Sequence, residues 1–363
     1  MTRLLIAAGG GGDAITAAII HHATAGDDPD VMIATYAWDR LLIDPLPGPR
    51  SPEEFAGLSR VSERNYAVTA DSRPIPPAES TVPRLAAELG MPLVILDPRR
   101  GARGLADQIA ELADIVSAER IEVVDVGGDI LAGGYEPNLR TPLADTLVLA
   151  ACHHLPRPVS VLVAGPGLDG ELAESLVLSR LGPGTFVLQL QPEQVEPYLR
   201  ILNWHPTEAT ALLVAAILGV RGAVEIRDAG LVVRIRDRSA DVHEVDGHAI
   251  ADRSPLVAGL LETASLASVE DVVRNICGFA ETDYERTKAK IRGTPDQPTS
   301  PKELGHQLES YARSACYRGV DYITYRRLAE ACGASIGDVR AVASRNHGDR
   351  LVPLWPTDRS GTS

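Results

Sequence analysis

Short apolar runs that favour β-strands alternate with helix-like segments through the first half of the chain. The strand-like runs are Leu4–Ala8, Val31–Tyr36, Leu93–Asp97, Ile121–Val126, Val159–Ala164 and Thr185–Leu190. Helical patterns lie between most of them, at Val82–Leu89, Leu105–Ala118, Leu143–Ala151 and Glu171–Leu181. Near-continuous apolar strands separated by helices are typical of a parallel sheet that is covered on both faces. We therefore predict a doubly wound, Rossmann-like α/β fold with a mostly parallel sheet.

A polar, proline-rich segment from Asp44 to Pro83 interrupts this alternation. An insertion of this length is more often a lid or a binding loop than idle chain.

Beyond residue 200 the pattern changes. His205-Pro206-Thr207 precedes an apolar helix predicted at Ala209–Leu218, with Thr207 as its N-cap. A small antiparallel meander is predicted at Ala223–Arg227, Leu231–Arg236 and Asp241–Val245, with turns at Ala229-Gly230 and around Ser239. Further helices are predicted at Leu256–Leu266, Val269–Phe279 and Asp283–Ile291, with two or three more between Lys302 and Asn346.

These patterns divide the chain into regions. We predict a ligand-binding α/β domain at 1–203, a mixed meander and helical region at 204–291 that completes the core, a linker at 292–300, a helical C-terminal appendage at 301–357 and a disordered tail at 358–363.

Composition narrows the class of protein. With 363 residues and 45% hydrophobic content, the chain can bury a large core. A net charge of −14 and a pI near 5.1 argue against nucleic acid as a partner. No apolar run reaches membrane-spanning length, so we expect a cytoplasmic protein without a membrane partner. The four cysteines are scattered and predict neither disulfides nor a zinc site, and a homodimer is the base-rate expectation.

The first predicted strand runs into four consecutive glycines and an aspartate: Gly9, Gly10, Gly11, Gly12 and Asp13. A predicted helix begins directly afterwards. Glycines at this position leave backbone N–H groups bare at the positive end of a helix, where an anionic group can approach closely. A tight turn needs only one or two glycines, so this loop predicts a site for a small anionic or zwitterionic molecule.

The other predicted strands end in similar residues. In an open parallel sheet the carboxyl ends of all strands lie at one edge, where ligands bind. The glycines expected to join the cofactor-binding loop are Gly127, Gly128, Gly165 and Gly167, and the expected substrate-binding residues are Trp38, Arg40, Arg50, Asp97, Asp125, Glu136 and Arg140. We expect these residues to line one polar pocket with the glycine loop.

Carboxylates that converge on one pocket repel one another unless a cation lies between them. We therefore expect Asp13, Asp129 and Asp169 to hold Mg²⁺ bridged to phosphate oxygens, or to face an amine on the substrate. Asp129 and Asp169 are also candidate catalytic bases. The plainer alternative is that each of them caps the helix that follows.

His205 lies in a polar and aromatic junction, Asn203 to Glu208, between the two halves of the chain. Its ordinary pKa is near neutral, so it is a candidate general acid or base. The adjacent pairs His21-His22 and His153-His154 are less informative, because neighbouring helical residues point about 100° apart.

The sequence resembles an uncharacterised family of archaeal and actinobacterial proteins known only as a domain of unknown function, family 1152. The resemblance rests on the motifs GGGGDA from Gly9, WDR from Trp38 with DPLPGPR from Asp44, DVGGDIL from Asp125 and GPGLDGEL from Gly165. It implies no particular reaction. The Gly127-Gly128-Asp129 turn is also similar to turns that face nucleotide phosphates in phosphofructokinase-like and NAD-kinase-like enzymes, although Ile130-Leu131 replaces their usual Gly-Thr.

The favoured hypothesis is an enzyme that transfers phosphoryl or nucleotidyl groups on a small polar metabolite, with Mg²⁺ and a nucleotide as cofactors. A Walker A loop is absent, and GGGGDA does not match the GxGxxG of dinucleotide-binding enzymes. Two alternatives stay open: a lyase, cyclase or hydrolase of an amino-acid or sugar acid, and a non-catalytic sensor of a small ligand.

Overall fold

The computed structural model describes residues 3–227, 230–291, 300–347 and 352–357. Its strands are β1 Arg3–Ala7, β2 Val31–Tyr36, β3 Phe55–Ala56, β4 Ser59–Arg60, β5 Tyr66–Ala67, β6 Arg73–Pro74, β7 Leu93–Leu96, β8 Ile121–Val126, β9 Val159–Ala164, β10 Phe186–Gln189, β11 Gly222–Ile226, β12 Leu231–Ile235, β13 Asp241–Asp246, β14 Tyr322–Thr324 and β15 Leu354–Pro356.

The helices are α1 Gly11–Ala25, α2 Val82–Leu89, α3 Gly101–Ile115, α4 Pro142–His153, α5 Glu174–Leu181, α6 Pro192–Val195, α7 Leu199–Leu202, α8 Ala209–Ile217, α9 Gly247–Ala251, α10 Pro255–Leu260, α11 Leu266–Cys277, α12 Glu281–Ile291, α13 Pro301–Tyr317, α14 Tyr325–Cys332 and α15 Ile336–His347. In the ranges given above, no helix combines the length and the apolar character needed to cross a bilayer.

A nine-stranded sheet forms the centre, in the order β10-β13-β9-β8-β1-β2-β7-β5-β4. The strands from β9 to β7 in this order are all parallel, whereas β10, β13, β5 and β4 add antiparallel edges. The predicted doubly wound α/β fold is confirmed. Parallel strands need crossover helices, and the alternating pattern of the sequence supplies them.

Both faces of this sheet are covered by helices. Successive side chains of a strand point to opposite faces, so Leu4 and Ile6 of β1 pack on one side and Leu5 and Ala7 on the other. The first layer includes α3, α4, α10 and α11, and the second includes α1, α2 and α8. The central strands are therefore apolar on both faces, as their sequences predicted.

The predicted meander is wrong in one element. β11 and β12 do pair antiparallel, but Asp241–Val245 belongs to β13, which pairs with β9 in the central sheet. Apolar and polar residues alternate in this run, and Val242 packs in the second core layer. The same alternation would occur in a strand of a meander, so the sequence pattern does not tell the two placements apart. The predicted turn residue Ala229 lies outside the described residues.

The C-terminal region is helical but also contributes strands. β14 and β15 join β11 and β12 in a four-stranded sheet of order β12-β11-β14-β15, and α13 to α15 pack around a third apolar cluster. This sheet connects the predicted middle region to the predicted appendage. Most of the predicted linker and all of the tail, at 292–299 and 358–363, lie outside the described residues.

Two local predictions also differ from the structure. The helix predicted at Leu256–Leu266 ends at Leu260, and a new helix begins at Leu266 after its N-cap Ser265. Thr207 is not an N-cap, because α8 begins at Ala209 after Glu208. The Asp44–Pro83 segment forms two short strand pairs, β3 with β6 and β4 with β5, and the second pair extends the central sheet beside β7.

Candidate functional site

The strand order reverses between β1 and β8. Among the parallel strands, β2 and β7 follow β1 on one side, while β8 and β9 lie on its other side. In open α/β sheets such a reversal opens a crevice outside the carboxyl ends of the two strands, and ligands bind there. The Gly9–Gly12 loop leaves β1 at this crevice, and the Gly127-Gly128-Asp129 turn leaves β8 there.

Each glycine of the first loop has its own structural reason. Gly10 has φ +116°, which side-chain-bearing residues rarely adopt. A β-carbon on Gly9 would lie 2.8 Å from Asp13 Oδ2 and 3.3 Å from Asp145 Oδ1. β-Carbons on Gly11 and Gly12 would lie 3.2 Å from His205 Nε2 and 2.5 Å from Thr207 Oγ1. The glycines therefore let polar side chains approach the backbone at the N-terminus of α1.

Carboxylates from several elements surround the loop. We call them the acidic cluster: Asp13 on α1, Asp125 on β8, Asp129 after β8, Asp145 on α4, Asp169 and Glu171 after β9, and Glu281 on α12. All are buried except Asp13, which is half-buried. Of the aspartates in the cluster, Asp125 and Asp145 are the most enclosed, with exposures of 1% and 2%.

Three members of the cluster have the spacing of a metal site. One carboxylate oxygen from each of Asp13, Asp125 and Asp145 lies within 4.8 Å of the other two. Asp125 Oδ2 and Asp145 Oδ1 have no hydrogen-bond partner among the described residues. A buried carboxylate oxygen without a partner is energetically costly, and a divalent cation coordinated by oxygens would satisfy it.

Burial and mutual repulsion raise the pKa values of the cluster. Burial is the main cause for Asp125, Asp129 and Asp145, with neighbouring carboxylates adding to it, and their pKa values lie well above the usual range. Burial also raises the pKa of Asp13 to about 7. The Gly9 N–H donates to Asp13 Oδ2 at 2.7 Å and partly offsets this rise. Burial raises the pKa of Glu281 to about 8. The cluster holds more negative charge than its surroundings offset.

Asp129 and Asp169 lie on the β8–β9 side of the cluster. Asp169 packs directly over Gly127, where a β-carbon would lie 2.3 Å from its carboxyl carbon. Its Oδ1 accepts from the Glu171 N–H, while its Oδ2 lacks a partner in the described part of the chain. Burial and the Glu171 carboxylate raise the pKa of Asp169 to about 7. Asp129 accepts from the Thr141 hydroxyl at 3.2 Å.

Glu171 is the member with the most hydrogen bonds. Its carboxylate accepts from the N–H groups of Arg140 and Thr141, from the Thr141 hydroxyl and from the Arg227 guanidinium. It anchors the start of α4 to the loop after β9. Glu171 therefore positions the site.

His205 stands on the other side of the glycine loop. It is 4% exposed, its Nδ1 accepts from the Thr207 N–H at 3.3 Å, and its Nε2 has no partner within the described ranges. Burial, and then the nearby Arg340, lower its pKa to about 3.

The other predicted substrate-binding residues are held by structural partners. The Trp38 indole and the Arg40 guanidinium donate to Glu285, and Arg50 contacts Asp44 and Glu54. Asp97 caps the turn at residues 98–100 and pairs with Arg99, and Glu136 accepts from the backbone of residues 133–135 and pairs with Arg180. The Arg140 side chain is exposed and donates to main-chain carbonyls.

The glycines predicted after β9 shape the backbone. Gly165 and Gly167 have φ values of +60° and +81°, and the Gly167 N–H donates to the Gly127 carbonyl at 2.6 Å. They fix the loop that carries Asp169.

Asp145, Glu171 and Glu281 were missed by the sequence analysis as site residues. Asp145 had a detectable signal, because it is the one charged residue in the mostly apolar sequence of 142–152, all of which the structure buries. Glu281 begins α12, far from β8 in sequence, and its approach to the site depends on the tertiary fold. Tyr36 at the end of β2 is also buried there, and burial and Asp145 raise its pKa.

A cavity of about 310 Å³ lies near the opposite edge of the sheet, beside Arg3, Arg120, Glu122 and Glu244. Its charged groups pair with one another: Arg3 with Glu122, and Arg120 with both glutamates. The acidic cluster differs from this cavity, because carboxylate oxygens of Asp125, Asp145 and Asp169 have no hydrogen-bond partner among the described residues.

Comparison with known proteins identifies one family. A family model described as "Protein of unknown function (DUF1152)" matches residues 4–289, a range that includes the acidic cluster and His205 and ends before α13. No curated protein and no solved structure matches the chain.

Proposed function

The chain belongs to the DUF1152 family, and we propose that it is a metal-dependent enzyme that transfers phosphoryl or nucleotidyl groups on a small polar metabolite. The observation that carries the proposal is the pair of buried aspartate oxygens, on Asp125 and Asp145, without a partner among the described residues. Both lie close to the reversal of strand order, and open α/β sheets bind their ligands outside the strand ends at such a reversal.

A divalent cation fits the residues present. Asp13, Asp125 and Asp145 would hold it through carboxylate oxygens, the ligands that Mg²⁺ prefers. When bound, Mg²⁺ would offset the charge of the phosphate oxygens and make the phosphorus more susceptible to attack by a nucleophile. The metal set differs from the predicted one, because Asp125 and Asp145 join Asp13 in place of Asp129 and Asp169.

Asp169 is suited to accept a proton. A general base works best when its pKa lies near the working pH, and the pKa of Asp169 is raised to about 7. Its Oδ2 is free to accept, as far as the described residues show, and the Arg227 guanidinium binds the adjacent main chain and Glu171. We propose that Asp169 takes the proton of an attacking hydroxyl.

The phosphate group would lie at the N-terminus of α1. The first N–H groups of a helix lack partners within the helix and favour anions. Gly11 and Gly12 keep this end of α1 half-exposed.

The test is titration of metal-free protein with Mn²⁺ and Mg²⁺ by calorimetry, followed by thermal denaturation with a panel of nucleotides. We expect one cation site, and a nucleotide-dependent rise in melting temperature that requires Mg²⁺. Absence of a shift with every nucleotide would contradict the proposal. Asp169→Asn should lower turnover while sparing nucleotide affinity if the protein is an enzyme, and should weaken binding if it is a sensor.

A second candidate function follows from the excess of carboxylates. An amine on the substrate would offset their charge as a metal does, as expected for a lyase or hydrolase of an amino-acid or sugar acid. Stabilisation by amino acids or amino sugars without any metal requirement would favour it. A cytoplasmic location, a homodimer and the absence of nucleic-acid and membrane partners remain predictions.

A further inference from the structure

The N-terminus of α1 faces a buried histidine from another element. His205 lies between α7 and α8, is 4% exposed, and places its Nε2 3.2 Å from where a β-carbon of Gly11 would lie. Gly11 is the first residue of α1, a helix of 15 residues. The edge of the imidazole therefore lies over the first turn of the helix.

The hydrogen bonding of His205 fixes which nitrogen carries its proton. The Thr207 N–H can only donate, so His205 Nδ1 must accept and carries no proton. Because burial and Arg340 lower its pKa to about 3, the ring is neutral at pH 7 and is protonated at Nε2. Within the described ranges, this N–H has no acceptor. A buried donor without an acceptor is costly, and a ligand oxygen would remove that cost.

We infer that His205 Nε2–H donates a hydrogen bond to a phosphate group seated on the N-terminus of α1. The inference rests on the proposed function for the phosphorylated ligand, and it makes His205 a binding residue instead of the general acid or base predicted from sequence. The neutral donor and the helix N–H groups act on the same phosphate. Asp13 lies in the same helical turn, so phosphate should bind more tightly when Mg²⁺ offsets its charge.

The chain offers matched variants. His205→Gln keeps an N–H donor at a similar reach, and His205→Met removes it with little change in length. His243→Gln is the control, because His243 is also buried, at 3% exposure, with an Nε2 that lacks a partner in the described part of the chain. It lies on β13, at the antiparallel side of the sheet.

Calorimetry with inorganic phosphate, with and without Mg²⁺, tests the inference. We expect His205→Met to lose at least tenfold in phosphate affinity, His205→Gln to lose less than about threefold, and His243→Gln to match wild type. Nitrogen NMR of ¹⁵N-histidine-labelled wild type should show the Nε2–H form for His205, and a shift of that signal on phosphate addition. The NMR measurement needs no variant to fold.

Equal phosphate affinity of His205→Met and wild type would overturn the inference, as would an Nδ1–H form or no phosphate binding by wild type. Mn²⁺ binding is measured on the same proteins. If wild type binds phosphate through His205 but no metal, the metal-dependent function fails and the inference stands. If metal binds and the phosphate affinity of His205→Met is unchanged, the inference fails alone.

Discussion

Two regions of the molecule bury carboxylates in opposite ways. On β11 of the small sheet, Glu225 is 2% exposed and accepts from Tyr311, from Arg318 at 2.5 Å and from Arg327 at 3.0 Å. Burial alone would raise its pKa, but these donors lower it below the usual range. At the edge of the central sheet, Asp125 and Asp145 are equally buried, and their pKa values are raised.

This difference distinguishes a carboxylate that stabilises the fold from carboxylates that are available to a ligand. Burying an ionised carboxylate is tolerated when donors satisfy its oxygens, and the Glu225 group thereby joins α13 and α14 to β11. Among the described residues, Asp125 and Asp145 form no ion pair of this kind and instead repel each other and the neighbouring carboxylates. Buried carboxylates that repel one another are retained when a ligand offsets their charge. Raised pKa values of carboxylates grouped at the end of a sheet therefore mark a candidate site.

The largest expected effect is on metal binding. Replacing both Asp125 and Asp145 by asparagine removes two of the three grouped carboxylates, and we expect Mn²⁺ affinity to fall at least about 1,000-fold, or about 4 kcal/mol. Calorimetry on metal-free protein measures it. Glu225→Gln, on the small sheet, should bind Mn²⁺ as wild type does. If the double variant bound Mn²⁺ with wild-type affinity, the metal would have to bind at other residues.

The next effect is on stability. Glu225→Gln leaves Arg327 beside a neutral amide, and breaking a buried ion pair costs about 3 kcal/mol. Urea unfolding should therefore show a clear loss for Glu225→Gln. Asp145→Asn should show none, or a gain, because it removes repulsion. Equal losses in the two variants would erase the distinction between the two regions.

The fold was predictable because its signals are local. Apolar runs separated by helical patterns predicted the parallel strands, and the glycine turns after β1 and β8 predicted a site at the carboxyl ends of these strands. The placement of Asp241–Val245 was not predictable in this way, because pairing with β9 depends on contacts distant in sequence.

The site was predictable only in part for the same reason. Asp13 and Asp125 lie beside strand ends, where the rule on strand carboxyl ends applies, and the structure brings them together. Asp145 lies on a crossover helix and Glu281 on a helix much later in the chain, so the strand-end rule does not reach them. Conversely, Glu136 and Arg50 lie near strand ends but are held by Arg180 and Asp44.

Between pH 6.5 and 8.0, the acidic cluster should make stability fall by about 3 kcal/mol, whereas the Glu225 group should not change it. The pKa values of Asp13 and Asp169 are raised to about 7 and that of Glu281 to about 8, so the folded protein keeps protons that the unfolded chain has already lost. Stability from these groups is fully present below about pH 4 and is lost as pH rises through 7 and 8. Metal-free wild type should therefore lose roughly 3 kcal/mol between pH 6.5 and 8.0.

Urea unfolding at several pH values, with a chelator present, checks this slope. His205 opposes this loss only slightly: its pKa is lowered to about 3 in the folded protein, and the unfolded histidine, with a pKa near 6.5, loses its proton across this range, which adds about 0.4 kcal/mol of stability. The double variant of Asp125 and Asp145 should show a smaller slope, since less repulsion then acts on the remaining carboxylates. Glu225→Gln should keep the wild-type slope. A stability that rises across this range would contradict the raised pKa values.

The smallest effect on stability is expected at an exposed ion pair, and comparison with the Glu225 group then shows what burial alone contributes. Asp114 contacts Arg157 at 2.5 Å, much as Arg318 contacts Glu225, but its side chain is 69% exposed. Water screens this pair, so Asp114→Asn should change the free energy of unfolding by less than about 0.5 kcal/mol. A loss as large as that of Glu225→Gln would mean that contact distance, and not burial, decides what a carboxylate contributes. The unpaired oxygens of the acidic cluster would then lose their value as a sign of ligand binding.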